Sequence, residues 1–121
     1  MTVSQLTLDA IKTEVITEVE GSISHIALGS GDTEASIDDT SLQTETYRDA
    51  LLAEDTVIDT YIGEIFLDTT ENNGNDIKEM GSFDAGAGGN MFSRALTNII
   101  SKTASMEVTV ELNIKVSTLN I

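Results

Sequence analysis

His25 is the only histidine in the chain and the side chain best suited to acid–base chemistry near neutral pH. A His-centred triad also needs a nucleophile and an orienting acid, and no spacing in the sequence places such groups around His25. Ile23 and Ala27 fall on the same face of a predicted strand as His25. We therefore expect a packed or surface imidazole, since no spacing supports a metal site either.

The segment 69–80 partly fits the loop pattern of calcium-binding proteins. With Gly74 at the sixth position, the first, third and fifth positions hold Thr69, Glu71 and Asn73. The twelfth position requires a bidentate Glu but holds Met80, and Glu79 lies one residue short. The pattern predicts a hairpin turn, with a weak cation site as the alternative.

The run Gly86-Ala87-Gly88-Gly89 resembles a phosphate-binding loop only in its glycines. No Lys-Ser or Lys-Thr pair follows it, and the next segment predicts a strand, so no helix N-terminus would face a phosphate. Carboxylate pairs can be drawn anywhere among 21 acidic residues and identify no glycosidase. We predict that the protein is not an enzyme, with no catalytic, cofactor-binding or metal-ligating residues and no cofactor.

Composition excludes several other classes of protein. The 121 residues suffice for one domain, 1–121, and 40% are hydrophobic, enough to form a core. Cysteine is absent, which excludes disulfides, thiolate catalysis and Cys-ligated zinc. We expect no secretory signal, since no basic segment precedes an apolar run at the N-terminus, and no membrane insertion, since the apolar runs are short.

The charge balance is strongly negative. Six Lys and Arg residues stand against 21 Asp and Glu, a formal net charge of −15, which repels phosphate backbones, so we expect no nucleic-acid partner. The acidic surface fits either ordinary solubility or adaptation to high salt, where charges are screened over a few ångströms. A pI near 4.1 favours the halophilic interpretation.

The elements that would position these residues begin with a helix over 5–20. Its apolar residues recur at spacings of three and four, and Gly21 ends it; they are Leu8, Ile11, Val15 and Val19. We expect this helix to pack on a sheet, with a partner-binding helix as the alternative.

The remainder, 23–117, predicts a β-rich body. Strands are expected at 23–28, 47–54, 56–68, 77–83 and 91–98, with turns at 29–32, 71–76 and 84–90. The second and third strands are expected to join near Glu54 and Asp55, and the third to be buried on both sides in places. The run Thr40-Ser41-Leu42-Gln43 fits a capping box and predicts one helical turn.

The last strand has the cleanest alternation in the chain. Apolar residues occupy every second position from Met106 to Val116, which predicts a strand over 106–117 of about 40 Å. The alternation changes phase at Thr118, where we expect a bulge or the strand end. One helix followed only by strands predicts a mainly β fold: an antiparallel β-sandwich or curled sheet with one N-terminal α-helix packed on it.

The order of four segments carries a resemblance to a known family. The segments are His25-Ile26-Ala27-Leu28-Gly29-Ser30-Gly31-Asp32-Thr33, Asp39-Thr40-Ser41-Leu42-Gln43-Thr44-Glu45-Thr46-Tyr47-Arg48, Lys78-Glu79-Met80-Gly81-Ser82-Phe83 and Met91-Phe92-Ser93-Arg94-Ala95-Leu96. With the final alternating strand, they resemble the small tail-fibre or tail-collar type structural proteins of tailed bacteriophages and archaeal viruses. The resemblance covers residues 7–117, although the chain lacks the prolines common in that family's loops.

The resemblance implies a virion structural protein that acts through protein–protein contacts. We expect above all a tail, baseplate or tail-fibre-associated subunit, located in the virion, of a virus whose host is a salt-loving archaeon. A head decoration or vertex protein and a non-viral soluble binding module are the alternatives. Expected partners are further copies, forming a homo-oligomer, and other virion structural proteins. Neighbouring subunits would cover the apolar face of 106–116, and the loops 32–40, 69–76 and 84–90 would face outward or contact the next protein.

Overall fold

The computed structural model describes residues 5–57 and 59–116, with side chains inside the helix from Lys12 onward. Within these ranges the chain forms one helix and seven strands. They are α1 (Gln5–Ser22), β1 (His25–Gly29), β2 (Glu45–Ala50), β3 (Ala53–Val57), β4 (Thr60–Leu67), β5 (Asp76–Phe83), β6 (Met91–Ser101) and β7 (Val108–Lys115).

The strands form two antiparallel sheets that pack face to face. Sheet A has the order β2-β1-β5-β6, and sheet B has the order β3-β4-β7. The core between them combines residues of both sheets; these are Ile26, Leu28 and Ile77 from sheet A and Ile65, Leu67 and Leu112 from sheet B. The predicted mainly β fold with an antiparallel β-sandwich is confirmed.

Helix α1 packs against one end of sheet B, as expected for 5–20, and extends to Ser22. Ile16, Val19 and the following Ile23 are buried against Tyr61 at the start of β4. The predicted stripe was wrong at Val15, which is 41% exposed. Two stripes one residue apart share most of their helical spacing, so periodicity alone did not identify Ile16 as the contact residue. The side chains of Leu8 and Ile11 lie outside the described part of the chain.

The chain changes sheets between β2 and β3, and these two strands join earlier in the chain than predicted. Glu54 and Asp55 lie inside β3, so the predicted junction there was wrong. The change occurs at Leu51 and Leu52, whose N–H groups donate to Ser24 O at 3.0 Å and Glu64 O at 2.8 Å, respectively. Leu51 is thus bonded to the segment just before β1, in sheet A, while the adjacent Leu52 is bonded to β4, in sheet B. No local sequence pattern marks this tertiary arrangement.

Strand β7 keeps the predicted alternation but is shorter than predicted. Met106 N donates to Thr103 O in a turn, and the strand begins only at Val108. Leu112 is buried, and Val108, Val110 and Ile114 pack against the core. The apolar face that we expected neighbouring subunits to cover therefore packs against the sandwich core, with Leu112 buried and the other three residues half-buried. The predicted phase change at Thr118 lies outside the described residues.

The predicted third strand, 56–68, was wrong at its start, because β3 ends at Val57 and β4 begins at Thr60 after a turn at Asp59. The remaining predicted β elements differ little from those observed. Strand β5 and the turns 71–76 and 84–90 match, β6 continues to Ser101, and β1 lies one to two residues later than 23–28. Ile23 precedes β1 and packs below the helix instead. In the described part of the chain, no helix combines the length and apolarity needed to cross a membrane.

Candidate interaction surface

A buried ion pair on the outer face of sheet A holds the loop 30–44. Arg94 Nε donates to Glu79 Oε1 at 2.9 Å, and the two side chains are 2% and 0% exposed. Arg94 Nη1 also donates to Asp39 Oδ2 at 3.0 Å, and its Nη2 donates to Thr33 O at 2.9 Å. The guanidinium therefore joins β5 and β6 to the loop above them.

Glu79 accepts three further hydrogen bonds from that loop. The N–H groups of Gly31, Gln43 and Thr44 donate to its carboxylate at 2.7, 2.8 and 2.9 Å. Burial acts to raise the pKa of Glu79, but these N–H groups and Arg94 outweigh burial and lower the pKa below its usual range. A Cβ on Gly31 would lie 2.3 Å from Glu79 Oε2, so only glycine permits this approach.

The same contacts explain why the helical turn predicted to follow the capping box 40–43, before Tyr47, does not form. Glu79 takes the N–H groups of Gln43 and Thr44, and Gln43 Oε1 accepts from the N–H groups of Asp32 and Thr33 at 2.9 and 3.0 Å. The side chain of Gln43 thus bonds to a distant part of the loop and not to its own N-terminal turn. The capping-box prediction was wrong because a long-range carboxylate supplies the hydrogen bonds.

Arg48 holds the glycine-rich turn 84–90 in a similar way. Its Nη1 donates to Ala85 O at 3.0 Å and to Gly88 O at 2.8 Å, while its Cζ lies 3.7 Å from the centre of the Phe83 ring. Glu45 balances the charge at 2.6 Å from Arg48 Nη2. Carbonyl oxygens converge here on a cation, which is the opposite polarity to a phosphate-binding loop.

Lys102 occupies the turn that was compared with a calcium loop. Its Nζ donates to Asp68 O, Asn73 Oδ1 and Thr103 O at 2.9, 2.8 and 3.0 Å. The residue is 1% exposed, so its ammonium takes oxygens that a bound cation would otherwise use. Across the described residues, no three His, Cys, Asp or Glu side chains converge as metal ligands.

His25 makes one local contact. Its Nδ1 lies 2.7 Å from Ser24 Oγ, and the residue is half-buried. A Ser–His pair supplies two parts of a nucleophilic triad, but among the described residues no carboxylate is hydrogen-bonded to the ring. The sequence prediction of a packed or surface imidazole agrees with this position.

Large apolar side chains are exposed along β6, the outer strand of sheet A. Phe92, Leu96 and Ile99 are 45%, 44% and 67% exposed, and we call them the β6 apolar stripe. The pairing of β6 with β5 is irregular at two places. Phe92 is the extra residue at the first, and Ile99 lies in the second, at 97–99. Bulges interrupt edge pairing and redirect side chains, so this edge is suited to side-chain contacts.

A groove beside the stripe opens between the edges of the two sheets. It has a volume of about 340 Å³ and is lined by Leu96 and Ile100 of β6, by Val110 and Glu111 of β7, and by the half-buried Met80 of β5. Both β6 and β7 are terminal strands of their sheets in the described part of the chain. The stripe and the groove together form the candidate interaction surface.

The surface also coincides with the longest stretch of chain without acidic residues. Residues 85–106 contain no Asp or Glu, although the chain has 21. The sequence interpretation used the total charge and missed this gap, which was readable from the sequence. The two cations of β6 and its following turn, Arg94 and Lys102, are buried in internal contacts. The stripe therefore carries no charged side chain on a strongly acidic protein, and Glu111 of β7 is the acidic residue that lines the groove beside it.

Comparison with known proteins gives no match: no protein-family model matches this chain, and no curated protein matches it. The resemblance to tail-fibre and tail-collar proteins stays a prediction from the sequence.

Proposed function

We propose that this protein is a virion structural subunit, of the tail, baseplate or tail fibre, which acts by contact with neighbouring subunits and not by catalysis. The observation that carries its contact function is the β6 apolar stripe, with Phe92, Leu96 and Ile99 between 44% and 67% exposed. Exposed apolar side chains grouped on one strand indicate a contact surface. The ordered segments over 7–117 that resemble tail proteins support the virion assignment.

The internal contacts also suit a rigid building block. Loops 30–44, 68–76 and 84–90 are each held by a mostly buried cation, namely Arg94, Lys102 and Arg48. Loops fixed in this way present a constant shape to a neighbour, and less conformational entropy is lost on binding.

Mass spectrometry of density-purified virus particles tests the proposal. A structural subunit copurifies with the particle in fixed proportion to the major structural proteins. Labelling the protein on intact particles and imaging the label then separates a tail location from a head vertex. A chain found only in the soluble fraction of infected cells, and absent from purified particles, contradicts the proposal.

A further inference from the structure

We propose that the β6 apolar stripe binds the same stripe of a second copy of this chain, in a two-fold symmetric contact centred near Leu96. This inference rests on the proposed function, because it names the partner of a subunit that acts by contact. It replaces the face of 106–116 as the site of self-association, since that face packs against the sandwich core.

Charge is the first reason to assign a second copy to this surface. Each copy carries a formal charge of −15, so two copies repel one another over most of their surfaces. Residues 85–106 contain no acid, so a contact made by β6 brings no carboxylate of that strand against the other copy. Arg94 and Lys102 are buried in internal contacts, so neither side chain is free to attract an acidic partner to this surface.

The spacing of the stripe is the second reason. Phe92 lies four residues before Leu96, and Ile99 lies three residues after it. A two-fold axis beside Leu96 runs the two β6 strands antiparallel, which places Leu96 against its own copy and Phe92 near Ile99 of the other copy. Each exposed apolar side chain then has an apolar neighbour, as an isologous interface requires.

The two bulges determine the kind of contact. A continuous strand pairing across the axis would need a regular edge, and β6 is regular only between Ser93 and Leu96. Side-chain packing, helped by the neighbouring groove, therefore dominates over backbone pairing. Glu111 lines that groove and is its acidic residue, so the contact is expected to strengthen with salt.

Paired substitutions to Glu test the inference by sedimentation equilibrium in molar salt. We expect the wild-type protein to form dimers and Leu96→Glu to raise the dimer dissociation constant by roughly tenfold or more, because a charge is placed in an apolar contact. Leu52→Glu is the matched control. Leu52 is 68% exposed and lies next to β2 and β3, at the opposite edge of both sheets, so it adds the same charge without entering the contact.

Cysteine cross-linking tests the geometry, because the natural chain has no cysteine. Leu96→Cys should form an intermolecular disulfide on mild oxidation in molar salt, since the two-fold axis places the residue beside its copy. Leu52→Cys should stay largely unlinked under the same conditions. Both positions are exposed, and thermal melting will show whether each variant keeps the wild-type stability.

Two results would overturn the inference. One is a wild-type protein that stays monomeric in molar salt at high concentration, and the other is equal weakening of the dimer by Leu52→Glu and Leu96→Glu. Either result leaves the virion assignment standing if the chain is still found in purified particles. A dimer that forms through Leu96, from a protein absent from particles, would instead support this inference and remove the virion function.

Discussion

At the scale of single residues, buried cations organise the loops of this protein. Arg48, Arg94 and Lys102 make up half of the six basic residues, and their contacts are with carbonyl oxygens and carboxylates of three separate loops. Removing one partner of a buried ion pair lowers the free energy of unfolding by more than the pair itself contributes. The remaining charge is then buried with neither a partner nor solvent. Their effect should therefore be visible in stability measurements.

Replacement of Glu79 by Gln should lower the free energy of unfolding by about 3 kcal/mol. The amide keeps one acceptor oxygen, but it loses the charge that pairs with Arg94 and replaces an acceptor with a donor facing the N–H groups of the loop. Urea unfolding measures the change. Glu111→Gln is the control, since Glu111 is exposed, and it should change stability by under about 0.5 kcal/mol.

The difference in unfolding free energy between the wild-type protein and Glu79→Gln should depend on pH. The pKa of Glu79 is lowered in the folded state from an ordinary value of 4.5, so the folded protein keeps the carboxylate where the unfolded chain takes up a proton. The stability that wild type gains over Glu79→Gln should be complete above pH 4.5 and shrink as pH falls through the lower, folded-state pKa. A gap that stays constant down to strongly acidic pH would contradict this assignment.

Replacement of Lys102 by Met should lower the free energy of unfolding by about 2 kcal/mol or more. Methionine fills a similar volume but leaves Asp68 O, Asn73 Oδ1 and Thr103 O without their donor. Lys115→Met removes the same charge from an exposed position on β7 and is the control. Comparable thermal melts for the two variants would show that the ammonium of Lys102 does not hold the turn.

At the scale of elements, β7 is the terminal strand of sheet B, and its inner face packs on the core of the sandwich. Leu112 is 4% exposed, whereas its neighbour on the opposite face, Thr109, points to solvent. Leu112→Ala should cost about 2–4 kcal/mol of unfolding free energy, by loss of apolar burial and by the cavity left behind. Thr109→Ala should cost far less in the same chemical denaturation. Equal losses would mean that the register of β7 against β4 is wrong.

Local patterns predicted the elements of this fold better than their connections. The period-two pattern of Val108, Val110 and Leu112 identified β7 and its inner face, and the Asn-Gly-rich turn located the start of β5. The boundary between β2 and β3 was missed because no turn residue such as Gly or Asn separates them near Leu51. Strand β2 ends only because the chain leaves sheet A and pairs with β4 in sheet B.

The candidate surface was predicted less well than the fold. The sequence pattern predicted that neighbouring subunits would cover the apolar face of β7. Alternation shows that a strand has an apolar face, but it does not show whether the same chain or a partner covers that face. The stripe on β6 has irregular spacing because Phe92 and Ile99 lie at bulges, and no periodicity reveals them. The acid-free stretch 85–106 was the available signal.

At the scale of the whole molecule, charge opposes both folding and assembly. The chain has 21 acidic residues and six basic ones, and three of the basic residues are buried in loop contacts. Most carboxylates therefore have no basic partner and repel one another. At 0.01 M salt the Debye length is about 30 Å, so this repulsion extends across the domain, while at 1 M it is about 3 Å. Folding brings the charges closer than they are in the unfolded chain.

We therefore predict that the melting temperature rises steeply from dilute buffer to molar salt. The dimer fraction should rise more steeply still, because each added copy brings another −15. Thermal melts and sedimentation across a salt series measure the two quantities. Screening should level off once the charges are shielded and should not depend on which monovalent salt is used. This outcome would support the halophilic interpretation.

A specific cation site would behave differently, which makes a chelator the decisive control. Such a site would respond to micromolar or millimolar divalent ion at constant ionic strength, and a chelator would reverse the response. Lys102 already donates to three oxygens of the 68–76 turn, so we expect calcium to act on the wild-type protein only through ionic strength. A melting temperature that stays flat from low to molar salt would remove the halophilic interpretation, and it would show that the carboxylates do not limit the stability of the fold.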